Sequence, residues 1–232
     1  MLTVNNLETY INQFHILQGV SFDVKQGAIT VLFGRNGVGK TTTLRSIMGY
    51  NEKTSGSITF NNEELIGLPT HIIAQKGIGY VPEDQAIFSS LTVEETFLLA
   101  QRNNKKYGAE KAEWMFELFP DLNRLRQKKT SLLSGGQKQM LAISRAYINS
   151  NDLLLIDEPS KGLSPIMVEK LMEALLLIKE KTTILLVEQN FFMASHIGDY
   201  FHIMDDGKIV HGGRMEDLRE NPDITKKYLG IS

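Results

Sequence analysis

The chain has 232 residues, with 25 Lys and Arg against 27 Asp and Glu, a formal charge of −2 and no cysteine. A hydrophobic share of 42% and a charged share of 22% are globular values, which exclude wholesale disorder and a fibrous chain. The lack of cysteine excludes a disulfide scaffold, a zinc–thiolate centre and a thiol nucleophile, and the near-balanced charge argues against a broad nucleic-acid or anionic-lipid surface.

The opening residues lack the basic stretch and long apolar run of a signal peptide. The longest apolar runs, such as 174–178 and 184–187, fall far short of the roughly 18 residues that cross a bilayer. A soluble chain is expected, with any membrane role supplied by a partner. Residues 2–7 and 19–24 alternate apolar and polar side chains, as half-buried strands do. Gln26-Gly27 is a turn, and 28–33 is an apolar, β-rich run suited to a buried parallel strand. A glycine-rich stretch then leads into a helix from about 40 to 48, with Gly49 placed to end it. Residues 56–60 form another strand, with Asn61-Asn62 as its turn.

From about 92 to 148 the periodicity is mostly helical. Thr92 precedes Glu94 and Glu95, which suits a first helical turn, and Pro120-Asp121 breaks the pattern. This stretch is predicted to be a helical insertion into an α/β core. The last third alternates again: strand 153–156, helix 166–179, strand 183–187, helix 191–197 and strand 200–204. Asp206-Gly207 then turns a hairpin into 208–210. Strand–helix–strand alternation specifies a mainly parallel sheet covered by helices. One domain is expected, with 1–91 and 149–232 as its core and 92–148 as the helical lobe.

Three motifs carry chemistry. Gly34-Arg35-Asn36-Gly37-Val38-Gly39-Lys40-Thr41 matches G-x-x-x-x-G-K-[ST], after a predicted strand and at the start of a predicted helix. Glycines let successive N–H groups turn toward one point, and the helix N-terminus adds a positive field for phosphate. Lys40 would reach the β- and γ-phosphates and the Thr41 hydroxyl would ligate Mg²⁺. By composition alone the pattern arises in roughly 1% of chains this long. In the second motif, the apolar strand 153–156 ends in Asp157 and Glu158. Residues at the C-terminal end of a parallel strand face the phosphate-loop side; Asp157 would hold Mg²⁺ and Glu158 would polarise an attacking water as general base. In the third, Leu133-Ser134-Gly135-Gly136-Gln137 precedes the helical run 138–147. Ser134 is an N-cap candidate, and the two glycines expose backbone N–H groups as a second anion-binding helix start.

Together and in this order, the motifs resemble those of the nucleotide-binding subunit of an ABC transporter, and the resemblance covers essentially the whole chain. It implies an α/β fold with a P-loop (RecA-like) core and mainly parallel sheet, an N-terminal antiparallel β lobe and the inserted helical lobe. It also implies two such subunits packed head to tail around two ATP molecules. ATP and Mg²⁺ would lie on Gly34, Arg35, Asn36, Gly37, Val38, Gly39, Lys40, Thr41 and Thr42. Ser134, Gly135, Gly136 and Gln137 of the opposite subunit would close over them. Tyr10 resembles the aromatic residue that stacks on adenine, with Phe14 as substitute because the spacing to Leu17 is slightly long. The segment 83–92 is the expected contact for a short helix of a transmembrane permease subunit.

Three positions depart from the common pattern. Glu83 stands where most members have a Gln that touches Mg²⁺, Ser164 replaces an Asp, and Gln189 replaces a His that contacts the γ-phosphate. A Gln donates a hydrogen bond but cannot become cationic. Val81-Pro82-Glu83, the run from Glu158 to Pro165 and Val187-Glu188-Gln189-Asn190 together resemble the second ATPase subunit of branched-chain amino acid importers, with its urea and short-amide relatives. The function so implied is ATP hydrolysis that energises uptake of a small solute. Lys40, Glu158 and Gln189 would be catalytic, and Thr41, Asp157 and Glu83 would surround the metal. The implied partners are a second ATPase subunit, identical or different, permease subunits and, indirectly, a solute-binding protein, with no nucleic acid; the implied place is the cytoplasmic face of the cell membrane. A soluble regulatory ATPase is the rival reading. The five histidines show no metal-ligand spacing. Lys105-Lys106 and the stretch 124–129 are expected to be solvated faces. Trp114, Phe116 and Phe119 are expected in the core or a groove wall.

Overall fold

Two hydrophobic periods build the molecule, a period of two in its strands and one near 3.6 in its helices. This is a computed structural model, and it describes residues 1–101, 105–149 and 151–229. β1 (Leu2–Ile11) and β2 (Phe14–Val24) form a hairpin through Asn12, whose φ of 55° is left-handed. β3 (Ile29–Phe33) follows, then α1 (Lys40–Ile47), β4 (Lys53–Phe60), the short β5 (Glu63–Glu64), α2 (Thr70–Gln75) and β6 (Ile78–Val81). The inserted helices are α3 (Val93–Ala100), α4 (Lys105–Leu118), α5 (Pro120–Arg124) and α6 (Gly135–Ile148), with a single 3₁₀ turn at Thr130–Leu132. The chain continues through β7 (Leu153–Asp157), α7 (Pro165–Lys179), β8 (Thr183–Val187), α8 (Phe191–Ile197), β9 (Tyr200–Asp205) and β10 (Lys208–Arg214). It ends in α9 (Met215–Arg219) and α10 (Pro222–Leu229).

The strands make an antiparallel sheet of order β2-β1-β4-β5 and a second sheet of order β10-β9-β3-β8-β7-β6, parallel except for β10. Every residue of β3, β7 and β8 is buried, and alternation decides which core each enters. Ile29, Val31, Phe33, Leu154, Ile156, Ile184 and Leu186 join the core shared with the helical lobe and α7. Leu32, Leu153, Leu155, Leu185 and Val187 point the other way, onto α1 and the antiparallel sheet. Burying each such side chain stabilises by about 1.5–3 kcal/mol, so sandwiching this sheet on both faces fixes its register and therefore its C-terminal edge.

The strand and helix expectations at 28–33, 153–156, 166–179, 183–187 and 191–197 agree with the elements to within one residue. Gly49 ends α1 in a left-handed conformation, φ 71°, and an added Cβ would lie 2.8 Å from Leu68 O. Thr92 caps α3 through a reciprocal bond pair with Glu95. β4 starts three residues earlier than expected, and β5, α2, β6, α9 and α10 are additions to the expected elements. β6 carries little signal in the sequence: it is four residues long and contains Gly79, where an added Cβ would lie 2.1 Å from Asn151 Nδ2.

Phe116 and Phe119 are core residues, while Trp114 packs half-buried on Tyr147. The stretch 124–129 is more than a solvated face. Arg126 lies over Phe116, 4.1 Å from the ring centroid, and pairs with Glu94 and Glu113. The side chains of Lys105 and Lys106 lie outside the described ones. Among the described residues no helix is long and apolar enough to cross a membrane.

Candidate nucleotide site

The site forms where β3, β7 and β8 end on one edge of the parallel sheet. Leaving β3, the chain makes a loop that only glycine can follow at two points. Gly34 has φ 154° and an added Cβ would lie 2.5 Å from Met204 O; Gly39 has φ 108° and its Cβ would lie 2.8 Å from Leu17 Cδ2. Gly39 is also the N-cap of α1, so the helix start aims its free N–H groups into the loop. Lys40 is 4% exposed. Its ammonium donates to Gly34 O at 2.8 Å and Arg35 O at 3.0 Å and lies 3.5 Å from Glu158 Oε1. Burial lowers its pKa, and the Glu158 carboxylate opposes that shift most strongly.

Asp157 and Glu158, at the end of β7, meet different side chains of the loop and its neighbours. Thr41 Oγ1 donates to Asp157 Oδ1 at 3.1 Å, and the Tyr80 hydroxyl donates to Oδ2 at 3.4 Å. Burial pushes the Asp157 carboxyl up to about 6, aided by the negative charges of Glu158 and Glu83. Burial and the Asp157 charge raise Tyr80 above the ordinary phenol range, which keeps it a donor. Glu158 has φ 45°, a left-handed conformation unusual for a non-glycine, and its N–H donates to Val187 O at 2.9 Å. That backbone turn sends its carboxylate back toward Lys40. Gln189, just beyond β8, donates through Nε2 to Glu158 Oε1 and, at 2.7 Å, to Asn36 Oδ1 in the loop.

Lys40, Thr41, Asn36, Asp157, Glu158 and Gln189 therefore meet in one cluster. Glu83 lies at its edge, half-exposed and ion-paired with Lys161 rather than bonded to Thr41 or Asp157. Glu188 is a member that the sequence reading quoted but gave no role. It is 2% exposed, and its carboxylate accepts from Ser160 Oγ at 2.8 Å, Gln189 N at 3.0 Å and Asn190 N at 3.1 Å. One buried acid thus braces the loop after β7 against the turn after β8, and burial raises its pKa. Its signal in the sequence was an acid directly following the apolar run 184–187 of β8.

The third motif lies elsewhere. Ser134 caps α6 by accepting from Gln137 N, while the Gln137 side chain accepts from Ser134 N at 2.9 Å. Ser134 and Gly135 are exposed, and Gly136 is packed where a Cβ would lie 2.7 Å from Met167 Cε. Among the described residues no hydrogen bond or ion pair joins this helix start to the loop 34–42.

In the β1–β2 hairpin, Thr9 pairs with Leu17 and Tyr10 with His15, leaving Ile16 as an extra residue. This bulge accounts for the long spacing to Leu17. Thr9 Oγ1 lies 3.0 Å from Ser46 Oγ of α1 and Leu17 abuts Gly39, so this face of β1 looks onto the phosphate loop. Alternation gives Ile11, whose cross-strand partner is Phe14, the same face and Tyr10 the opposite one. Tyr10 stacks on His15, with centroids 4.2 Å apart and planes 6° apart. Phe14 is 62% exposed, a high value for a phenylalanine.

The donors fit a hard dication. Thr41 and Asp157 offer oxygens only, and Mg²⁺ takes one or two such protein ligands beside phosphate oxygens. Among the described residues no group of three or more His, Asp and Glu side chains is placed to hold a metal unaided. A separate groove of about 950 Å³ runs between the core and the helical lobe, lined by Arg45, Tyr80, Asp84, Ala86, Leu99 and Arg145 among others.

Residues 17–161 match the ABC transporter family. The chain is 39% identical, over 99% of its length and 100% of the relative's, to the high-affinity branched-chain amino acid transport ATP-binding protein BraG of Pseudomonas aeruginosa. It is 30% identical, over 99% of its length and 97% of the relative's, to the lipopolysaccharide export system ATP-binding protein LptB of Haemophilus influenzae. The solved structure of an ATP-binding subunit of an ABC transporter superposes with a TM-score of 0.85 at 28% identity, covering 99% of this chain and 96% of that one. A phosphate loop, an Asp-Glu strand end and a capped Ser-Gly-Gly helix start, on a fold shared end to end with these proteins, leave one conclusion: the chain belongs to the ABC transporter family and is an ATPase of that family.

Proposed function

We propose that the chain is the ATP-hydrolysing subunit of an importer that takes up branched-chain amino acids, acting at the cytoplasmic face of the membrane. The observation that carries this reading is the end-to-end identity of 39% with BraG, a protein named for that transport. ATP phosphates lie on the loop from Gly34 to Thr42, where Lys40 exchanges its bonds to Gly34 O and Arg35 O for phosphate oxygens. Thr41 and Asp157 hold Mg²⁺, which supplies neutralisation of phosphate charge. Glu158 orients water and accepts its proton, while Gln189 holds the Glu158 carboxylate and the loop Asn36 in one geometry. Catalysis is then positioning plus electrostatic stabilisation of the transferring phosphoryl group. Adenine stacks on Phe14, which shares the phosphate-loop face, in preference to Tyr10.

Ser134, Gly135, Gly136 and Gln137 close the site of a second ATPase subunit. The exposed, capped helix start, unbonded to its own chain's loop, supports this head-to-tail arrangement. A permease helix occupies the groove beside 83–92, and a solute-binding protein delivers the amino acid from outside.

The test is transport in proteoliposomes that contain the membrane subunits recovered with this chain and its solute-binding protein. ATP-dependent accumulation of leucine, isoleucine or valine, lost in Glu158→Gln, is expected. Accumulation of urea or short amides instead would move the chain to that branch. Outward movement of a lipid, as the LptB similarity allows, would overturn import, and ATPase activity indifferent to every membrane subunit would favour a soluble regulatory role.

A further inference from the structure

Asp157 is held on both sides by hydroxyl groups, and only one of them belongs to the phosphate loop. Thr41 donates to Oδ1 from α1, and Tyr80 donates to Oδ2 from β6, the neighbouring strand. The carboxylate therefore has its rotation about Cβ–Cγ set by two donors that approach from different elements. Tyr80 is only partly buried, because its other edge lines the groove between the core and the helical lobe. There the Arg45 guanidinium lies beside its hydroxyl and the Tyr50 ring lies 6.1 Å from its own.

We propose that Tyr80 is a positioning residue for the metal carboxylate: its hydroxyl aims Asp157 at Mg²⁺, and it is the side chain shared by the metal site and the groove wall. A donor behind a metal-ligating carboxylate fixes the orientation that the ion requires, and removing such an outer partner costs about 10- to 100-fold in metal affinity or activity. The hydroxyl bonds to Asp157 and has the Arg45 guanidinium beside it, so its effect on the metal is carried by Asp157. The inference rests on the reading of Asp157 as a metal ligand.

The test compares the full chain with Tyr80→Phe, which keeps the ring and its packing and removes only the hydroxyl. Affinity for a fluorescent ATP analogue is measured with excess Mg²⁺ and again with EDTA, and thermal unfolding is measured on the same samples. The expected result is an affinity about tenfold weaker in Mg²⁺, unchanged in EDTA, with the unfolding midpoint retained. An unchanged affinity in both media overturns the proposal, and so does an equal loss in both, which marks a packing effect on the whole loop. Asp157→Asn runs in parallel. If it too leaves the Mg²⁺ advantage intact, the reading of Asp157 itself fails; if it abolishes the advantage and Tyr80→Phe does not, only the role of Tyr80 fails.

Discussion

The side-chain amide of Gln189 donates to the Glu158 carboxylate, and the same nitrogen reaches Asn36 of the phosphate loop at 2.7 Å. An amide makes this bridge without a titratable proton. Gln189→Ala is expected to lower kcat by about 10²–10³, as loss of one preorganised donor does. Gln189→His should retain part of that activity and add an ionisation near 6.5 to the kcat profile. A wild-type profile that already carries such a limb would show that another group titrates in the mechanism.

Glu158 touches Lys40 and Gln189 from a left-handed backbone. Glu158→Gln keeps the shape and removes the proton acceptor. Its expected loss is about 10²–10⁴ in kcat, with ATP affinity retained and the ATP-bound subunit pair longer-lived by size-exclusion chromatography. Normal turnover would refute the assignment of the base.

The mainly parallel sheet, the glycine-rich loop and the Asp-Glu strand end were legible because β3, β7 and β8 are short apolar runs that end in loop chemistry. What was not legible depends on neighbours across the sheet. Tyr80 and Asp157 are 77 positions apart and meet only because β6 lies beside β7. The role of Glu188 appears only once Ser160 is brought under it. The hairpin is intermediate: the extra residue before Leu17 was countable, but that it is a bulge at Ile16, and that Tyr10 therefore faces His15, needed the strand register.

That register has a measurable consequence. Phe14→Ala is expected to weaken ATP binding by about 1–3 kcal/mol, the worth of one base–aromatic stack, and to leave binding of inorganic triphosphate unchanged. Tyr10→Ala should change neither. The reverse pattern in nucleotide titrations would return the stacking role to Tyr10.

Asp157 makes stability depend on pH in a specific direction. Its folded pKa, about 6, lies above the ordinary 3.8, so the folded state holds the proton more tightly than the unfolded one. The contribution of Asp157 to the stability of the metal-free chain is therefore lost as pH rises from about 4 to 6, on the order of 3 kcal/mol, and stays lost above that. Asp157→Asn should raise the unfolding midpoint at pH 7.5 in EDTA and make no difference near pH 4. A variant that is less stable at pH 7.5 would mean that the bonds from Thr41 and Tyr80 outweigh the cost of burying the charge.

Gln85 and Ala86 are consecutive left-handed residues, φ 62° and 44°, in the loop between β6 and α3. Neither is glycine, and each such residue costs about 1–2 kcal/mol. Arg145, near the C-terminal end of α6, offsets this by donating to Ala86 O and, at 3.2 Å, to Gln85 O. The helix that begins with Ser134 thus grips the groove loop at its far end. Arg145→Ala should destabilise the chain by about 1.5–3 kcal/mol, the worth of a hydrogen bond from a charged donor, and speed amide exchange in residues 83–88 more than elsewhere. Ala86→Gly on that background should recover about 1 kcal/mol, because glycine adopts the left-handed conformation without penalty. Denaturant midpoints of the single and double variants decide the matter: if Ala86→Gly lowers both, the loop is not strained and Arg145 acts by packing alone.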